Sequence, residues 1–234
     1  MVMSSEVFLH ELWVAWRITC TVLCIIFAGY FWNRRRRTDF KDTRMIFLGQ
    51  GLFMICFGLT RSLFAISDFF TTDPYYINKD LVLVAGGDLF ISDLFWKIST
   101  LVGILGIIFL LLVIETYLVK SRYFFTVIAT IGLIVAMVSP DINLSRWATY
   151  ITLPIAMLGL IILYFYLLYK GSGIVRKKAG ESILGLFLLG VGTILGTSAG
   201  MGTLRTIFGS FPEFIPVIIL TVGLAIYTYI NVKE

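Results

Sequence analysis

Apolar residues fall into seven long runs, at about 12–32, 45–65, 89–119, 123–138, 146–169, 181–207 and 211–230, with short polar stretches between them. A helix needs roughly 20 residues to cross a bilayer, so seven spans and their loops use nearly the whole chain. The third run is unusually long, which predicts tilt or protrusion beyond the lipid. A short apolar stretch before it, 81–85, is broken by Gly86-Gly87 and either extends that span or lies at the interface. Ser139-Pro140-Asp141 stops the fourth run, and Pro154 predicts a kink in the fifth. The seventh opens on Ser210-Phe211-Pro212-Glu213, where serine caps, proline suits the first helical position and glutamate sits three residues after the serine.

Basic residues are placed asymmetrically. Thirteen Lys/Arg lie in the stretches after spans 1, 3 and 5 and in the C-terminal tail, against three after spans 2, 4 and 6. The densest group is Arg34-Arg35-Arg36-Arg37, followed by Lys41 and Arg44. The positive-inside rule therefore gives one orientation. The prediction is an all-α polytopic membrane protein, one domain over 1–234. It is a seven-transmembrane-helix bundle with its N-terminus outside and its C-terminus inside.

Composition agrees with a bilayer. The chain is 59% hydrophobic and 14% charged, with a mean hydropathy of +0.94. Exposing that surface to water would cost about 25 cal/mol per Å² of apolar area. The net charge of +5 does not point to nucleic acid, because the basic residues flank spans where anionic headgroups attract them. Membrane lipids, with anionic headgroups at the inner face, are the expected partners. The N-terminus lacks a basic n-region and a cleavage site, so the first run is expected to be a retained span of a multi-pass cell-membrane protein. Cys20, Cys24 and Cys56 fall inside spans, and are expected as small buried side chains, with no metal site and no cofactor.

Of the ionisable residues within or at the ends of spans, six stand out: Arg17, Arg61, Asp88, Asp93, Lys97 and Arg205. Charges in lipid are costly and often functional. Antiparallel threading gathers these six at similar depth on the external side. Asp93 and Lys97 are spaced i,i+4 and can pair, while Asp88 points elsewhere, towards Arg17 or Arg61. One reading is interhelical pairing that sets register. The other is an outward-facing cavity for a small or anionic ligand or a lipid headgroup, with a transport path as a third possibility. Glu115, near the inner end of span 3, is expected to pair with Lys120 or Arg122.

Span 6 carries Gly192, Gly196 and Gly200 at i,i+4 spacing, a small-residue stripe for close helix packing. Packing within the bundle is the leading expectation, and a homodimer seam or a hinge are alternatives. Gly196-Thr197-Ser198-Ala199-Gly200 matches G-x-S-x-G. The chain's single histidine, His10, precedes span 1, so a serine hydrolase is not expected. A retinal Schiff base, as in microbial rhodopsins, needs a lysine in the last span, and span 7 has none. No Walker motif or H-E-x-x-H pair is present. The expectation is a non-enzymatic sensor or receptor-like module that takes its ligand from outside and signals through a separate partner protein. A small-solute transporter or channel, or a structural assembly subunit, are the alternatives.

Overall fold

The computed structural model describes residues 5–70, 89–119, 121–196, 202–204, 206–207 and 214–232, with side chains left out at 5–14, 68–70, 89–90, 174–175 and 232. Asp88, Gly200 and Arg205, the stretch 81–87 and the start of span 7 lie outside the described residues. The main helices are α1 (Ser5–Arg37), α2 (Lys41–Phe70), α3 (Leu89–Val113, continued by a π-helical turn, Ile114–Val119), α4 (Phe124–Val138), α5 (Ile142–Lys170), α6 (Gly173–Leu195) and α7 (Phe214–Val232).

Among the described residues, six helical segments are long and apolar enough to cross a membrane: Ala15–Arg37, Lys41–Ser67, Ile91–Val119, Ile142–Lys170, Arg176–Leu195 and Phe214–Asn231. The chain is thus a multi-pass, all-helical membrane protein. The seven-span expectation is corrected to six. The run at 123–138 forms α4, a 15-residue helix, whose length of about 22 Å falls short of a hydrocarbon core of about 30 Å. Its ends explain the shortfall. Arg122 and Tyr123 take left-handed φ of 56° and 62°, which ends the preceding helix. At the other end Ser139 turns extended before Pro140. The count of six is even, yet α1 and α7 run in the same direction, since both lie antiparallel to α2.

The sixth run also differs. It was expected as one helix over 181–207, but α6 begins at Gly173 and ends at Leu195, with Gly196 as its C-cap. The basic residues Arg176 to Lys178 therefore lie in its first turns rather than in a loop. Glycine is a poor helix former, and beyond Gly196 the described residues 202–204 and 206–207 are helical.

Neighbour relations close a ring: α1 packs on α2, α2 on α3, α3 on α5, α5 on α6, α6 on α7, and α7 back on α1. The short α4 lies against α3 and α5. α1, α3, α5 and α7 run one way and α2 and α6 the other, so the bundle has two ends. One carries Arg34 to Arg37, Lys41, Arg44, Arg122, Lys170, Arg176 and Lys177; it is called the basic end below. The other is the far end.

Small residues allow the closest approaches. Along α2 and α3, Ser67 Oγ donates to the Ser92 carbonyl at 2.8 Å and Ser92 Oγ donates back to the Ser67 carbonyl at 3.0 Å. Two turns further in, Ser99 Oγ donates to the Thr60 carbonyl at 2.8 Å. Each hydroxyl gains a partner that lipid cannot offer. Between α6 and α7, a Cβ added at Gly192 would lie 2.5 Å from the Leu220 nitrogen, and one at Gly185 would lie 2.8 Å from the Tyr227 nitrogen. Gly185 and Gly192 of α6 are thus pressed against α7 inside the bundle.

Candidate functional site

Three helices present the same pattern to the bundle interior. On α2 it reads Gln50, Met54, Phe57, Arg61; on α6, Ser182, Leu186, Leu189, Thr193; on α7, Asn231, Tyr227, Leu224, Leu220, with Thr221 beside it. Spacings of three and four residues keep each set on one face. Polar groups therefore meet in two layers. Between them lie Met54, Leu186, Leu189, Leu220 and Leu224, each at most 2% exposed. The eleven residues from Gln50 to Arg61 separate the layers by about 16 Å.

The far layer joins α1, α2, α6 and α7. Arg17 on α1 is buried, at 8% exposure, although it carries a charge. Arg61 on α2 is half-buried, and its Nη2 donates to Thr193 Oγ1 of α6 at 3.1 Å. Its guanidinium carbon lies 4.9 Å from the centre of the Phe57 ring, a cation–π contact. Thr21 and Ser62 hydroxyls lie 3.2 Å apart across α1 and α2. Trp16 Nε1 donates to Thr221 Oγ1 at 3.2 Å, tying α1 to α7.

The expected gathering of six charges is only partly met. Asp93 and Lys97 sit on the face of α3 that looks towards α4 and α5, apart from Arg17 and Arg61. They do not pair with each other as expected. Arg146 Nη2 donates to Asp93 Oδ1 at 2.9 Å, and the Arg146 guanidinium lies 5.3 Å from the Trp96 ring centre. Lys97 Nζ donates to the Ser139 carbonyl at 2.7 Å, where α4 ends. The i,i+4 rule was overridden because partners on neighbouring helices were better placed. Gly192 has the role described above; Gly196 caps α6.

Glu115 was expected to meet Lys120 or Arg122. Lys120 lies outside the described residues; Glu115 itself is almost fully buried, at 1% exposure, and takes four hydrogen bonds. Phe125 N and Ser121 Oγ donate to Oε1 at 3.0 and 2.6 Å, and Thr126 N and Oγ1 donate to Oε2 at 2.9 and 2.5 Å. The carboxylate thus satisfies the open N–H groups at the start of α4, where the helix dipole favours negative charge.

The second polar layer, nearer the basic end, was missed. Gln50 Nε2 donates to Asn231 Oδ1 at 2.9 Å and to Tyr227 Oη at 3.4 Å. Asn231 Nδ2 donates to Ser182 Oγ at 3.1 Å, and the Tyr164 and Tyr227 hydroxyls lie 3.1 Å apart. Four helices, α2, α5, α6 and α7, meet there. The signal lay in the sequence as Gln50 and Arg61 on one α2 face matched by Ser182 and Thr193 on α6, but a search for charges passes over amides and hydroxyls. Among the described residues no group of three or more His, Cys, Asp or Glu is placed to hold a metal ion.

Comparison of the chain with protein-family models, with curated proteins and with solved structures finds no match.

Proposed function

We propose that this protein is a small, non-catalytic membrane sensor or receptor-like module. Its ligand is a small anion or a lipid headgroup, held in the far layer by Arg17 and Arg61. The observation that carries the reading is the convergence of two arginines, an indole N–H and four hydroxyls from four helices on one end of the bundle. Guanidinium groups suit carboxylate and phosphate oxygens, to which they offer paired donors. Basic residues crowd the opposite end, so the positive-inside bias assigns the far layer to the outer face.

Arg61 also bonds Thr193, so an anion drawing on Arg61 would act on the contact between α2 and α6. Both helices continue to the second layer, where Gln50, Asn231 and Ser182 tie them again. Output would pass to a separate signalling protein at the basic face. A transport path is less well supported, because the close-packed leucine layer closes the route between the two polar layers in this conformation.

The test is a thermal-unfolding titration of the protein in nanodiscs with inorganic phosphate, acetate and glycerol 3-phosphate. A saturable rise in midpoint with at least one of them is expected, and it should shrink in Arg61→Gln and in Thr193→Val. The absence of any saturable shift in the unaltered protein would sink the reading.

A further inference from the structure

The connection between α1 and α2 carries an arrangement that helix stability does not explain. Residues 34–44 hold six basic side chains against two acidic ones, Asp39 and Asp42. Four successive arginines on a helix point in directions about 100° apart, so no single neighbour takes them all. Arg35 lies over the Trp32 ring, 5.0 Å from its centre, whereas Arg36 and Arg37 are exposed. These arginines lie at the C-terminus of α1, where positive charge complements the helix dipole. Lys41 and Arg44 have no such reason. They occupy the first turn of α2, where the dipole opposes them, and both are exposed, with no ion pair among the described residues.

Phe40 sits between these two groups and is 78% exposed. Its backbone is held in place: its carbonyl accepts from Arg44 N at 3.0 Å, while Thr38 Oγ1 donates to the Arg34 carbonyl at 2.8 Å. An ordered backbone therefore presents an exposed phenyl ring between two groups of basic residues along the chain. Trp32, two turns earlier, is also exposed, at 42%. Exposed aromatic rings interleaved with unpaired Lys and Arg at a span end match the chemistry of a bilayer interface, with apolar glycerol and acyl regions on one side and phosphates on the other. The net positive charge of the segment selects for anionic over zwitterionic headgroups.

We infer that the α1–α2 connection is a binding site for anionic phospholipid headgroups of the protein's own bilayer, with Arg36, Arg37, Lys41 and Arg44 on the phosphates and Phe40 seated below them. The site stands at the opposite end of the bundle from the far layer and does not depend on the sensor reading.

The experiment measures spin-labelled phosphatidylglycerol against spin-labelled phosphatidylcholine in the lipid shell of the protein, reconstituted in mixed vesicles of the two. Phosphatidylglycerol should be enriched, and the enrichment should fall with added salt. The variant Arg36→Gln/Arg37→Gln/Lys41→Gln/Arg44→Gln should lower it by about tenfold. The control Lys170→Gln/Arg176→Gln/Lys177→Gln, at the α5–α6 connection, should keep most of it. Phe40→Trp, measured separately, should be quenched by lipids brominated near the headgroup. Equal enrichment in the first variant and the unaltered protein would overturn the inference, as would a loss confined to the control. An unquenched tryptophan at position 40 would also overturn it, placing the ring in water, where a soluble protein would be its partner.

Discussion

Four donors converge on the Glu115 carboxylate, and two of them are backbone N–H groups at the start of α4. The π-helical turn at Ile114–Val119 widens the end of α3 there, and such turns often mark special sites in helices. An uncharged amide has one acceptor oxygen and would turn an NH2 group towards donors. Glu115→Gln is therefore expected to destabilise the protein by about 2–4 kcal/mol, and Glu115→Ala by at least as much. Reversible unfolding in mixed detergent micelles measures both. A cost below about 1 kcal/mol for both would mean that water satisfies those donors instead. The ion pair of Asp93 with Arg146 has a smaller role: both side chains are 38% exposed, and such pairs contribute about 0–1 kcal/mol. From the sequence, Glu115 was visible as an ionisable residue inside a span, but its partners were not. They are mostly backbone and hydroxyl groups, which carry no charge to mark them.

Among the helices, α6 and α7 show how small residues set a packing distance. Gly185 and Gly192 of α6, and Gly223 of α7, all lie where a side chain would meet backbone of the other helix. Gly190 points elsewhere; an added Cβ would meet only the Met157 side chain, at 3.6 Å. Gly192→Leu is expected to push α7 away and cost about 1–3 kcal/mol, whereas Gly190→Ala should be close to neutral or slightly stabilising, since alanine is the better helix former. The same unfolding assay separates them; equal costs would show that the helix contact is looser than this. The stripe itself was legible in the sequence, because i,i+4 glycines signal close packing on any helix. Its extent was not: the face in use runs through Gly185 and Gly192, and Gly196 is the C-cap of α6. The length of α4 was misjudged in the same way, since apolarity marks the run but only the left-handed turn and Pro140 decide how much of it is helix.

Across the whole molecule, two polar layers bind α2 to α6 and α7: Arg61 bonds Thr193 at the far layer, and Gln50 bonds Asn231, which in turn bonds Ser182, at the other. A buried leucine layer separates them. Gln50→Leu should cost about 1–2 kcal/mol and Thr193→Val about 1 kcal/mol, typical of hydrogen bonds between helices in membranes. Because the two sites share no partner and lie about 16 Å apart, the double variant should equal their sum within about 0.5 kcal/mol. A coupling larger than about 1 kcal/mol would show that the layers respond together, as α2 would if it carried a signal from one end to the other.

Apolar run length, basic-residue bias and glycine spacing determined, from sequence alone, that the chain is helical, crosses a membrane several times and packs at least one pair of helices closely. These properties follow from local composition, because each span must bury its own backbone polar groups and match the lipid thickness. Tertiary structure alone decided the number of full spans, the pairing of Asp93 with Arg146 rather than Lys97, the separation of the charges into two groups, and the buried layer around Gln50. Those features depend on which helix faces which. A polar side chain in lipid takes the nearest partner that the packed bundle offers, and along the chain that partner lies as far as 205 residues away, as from Trp16 to Thr221.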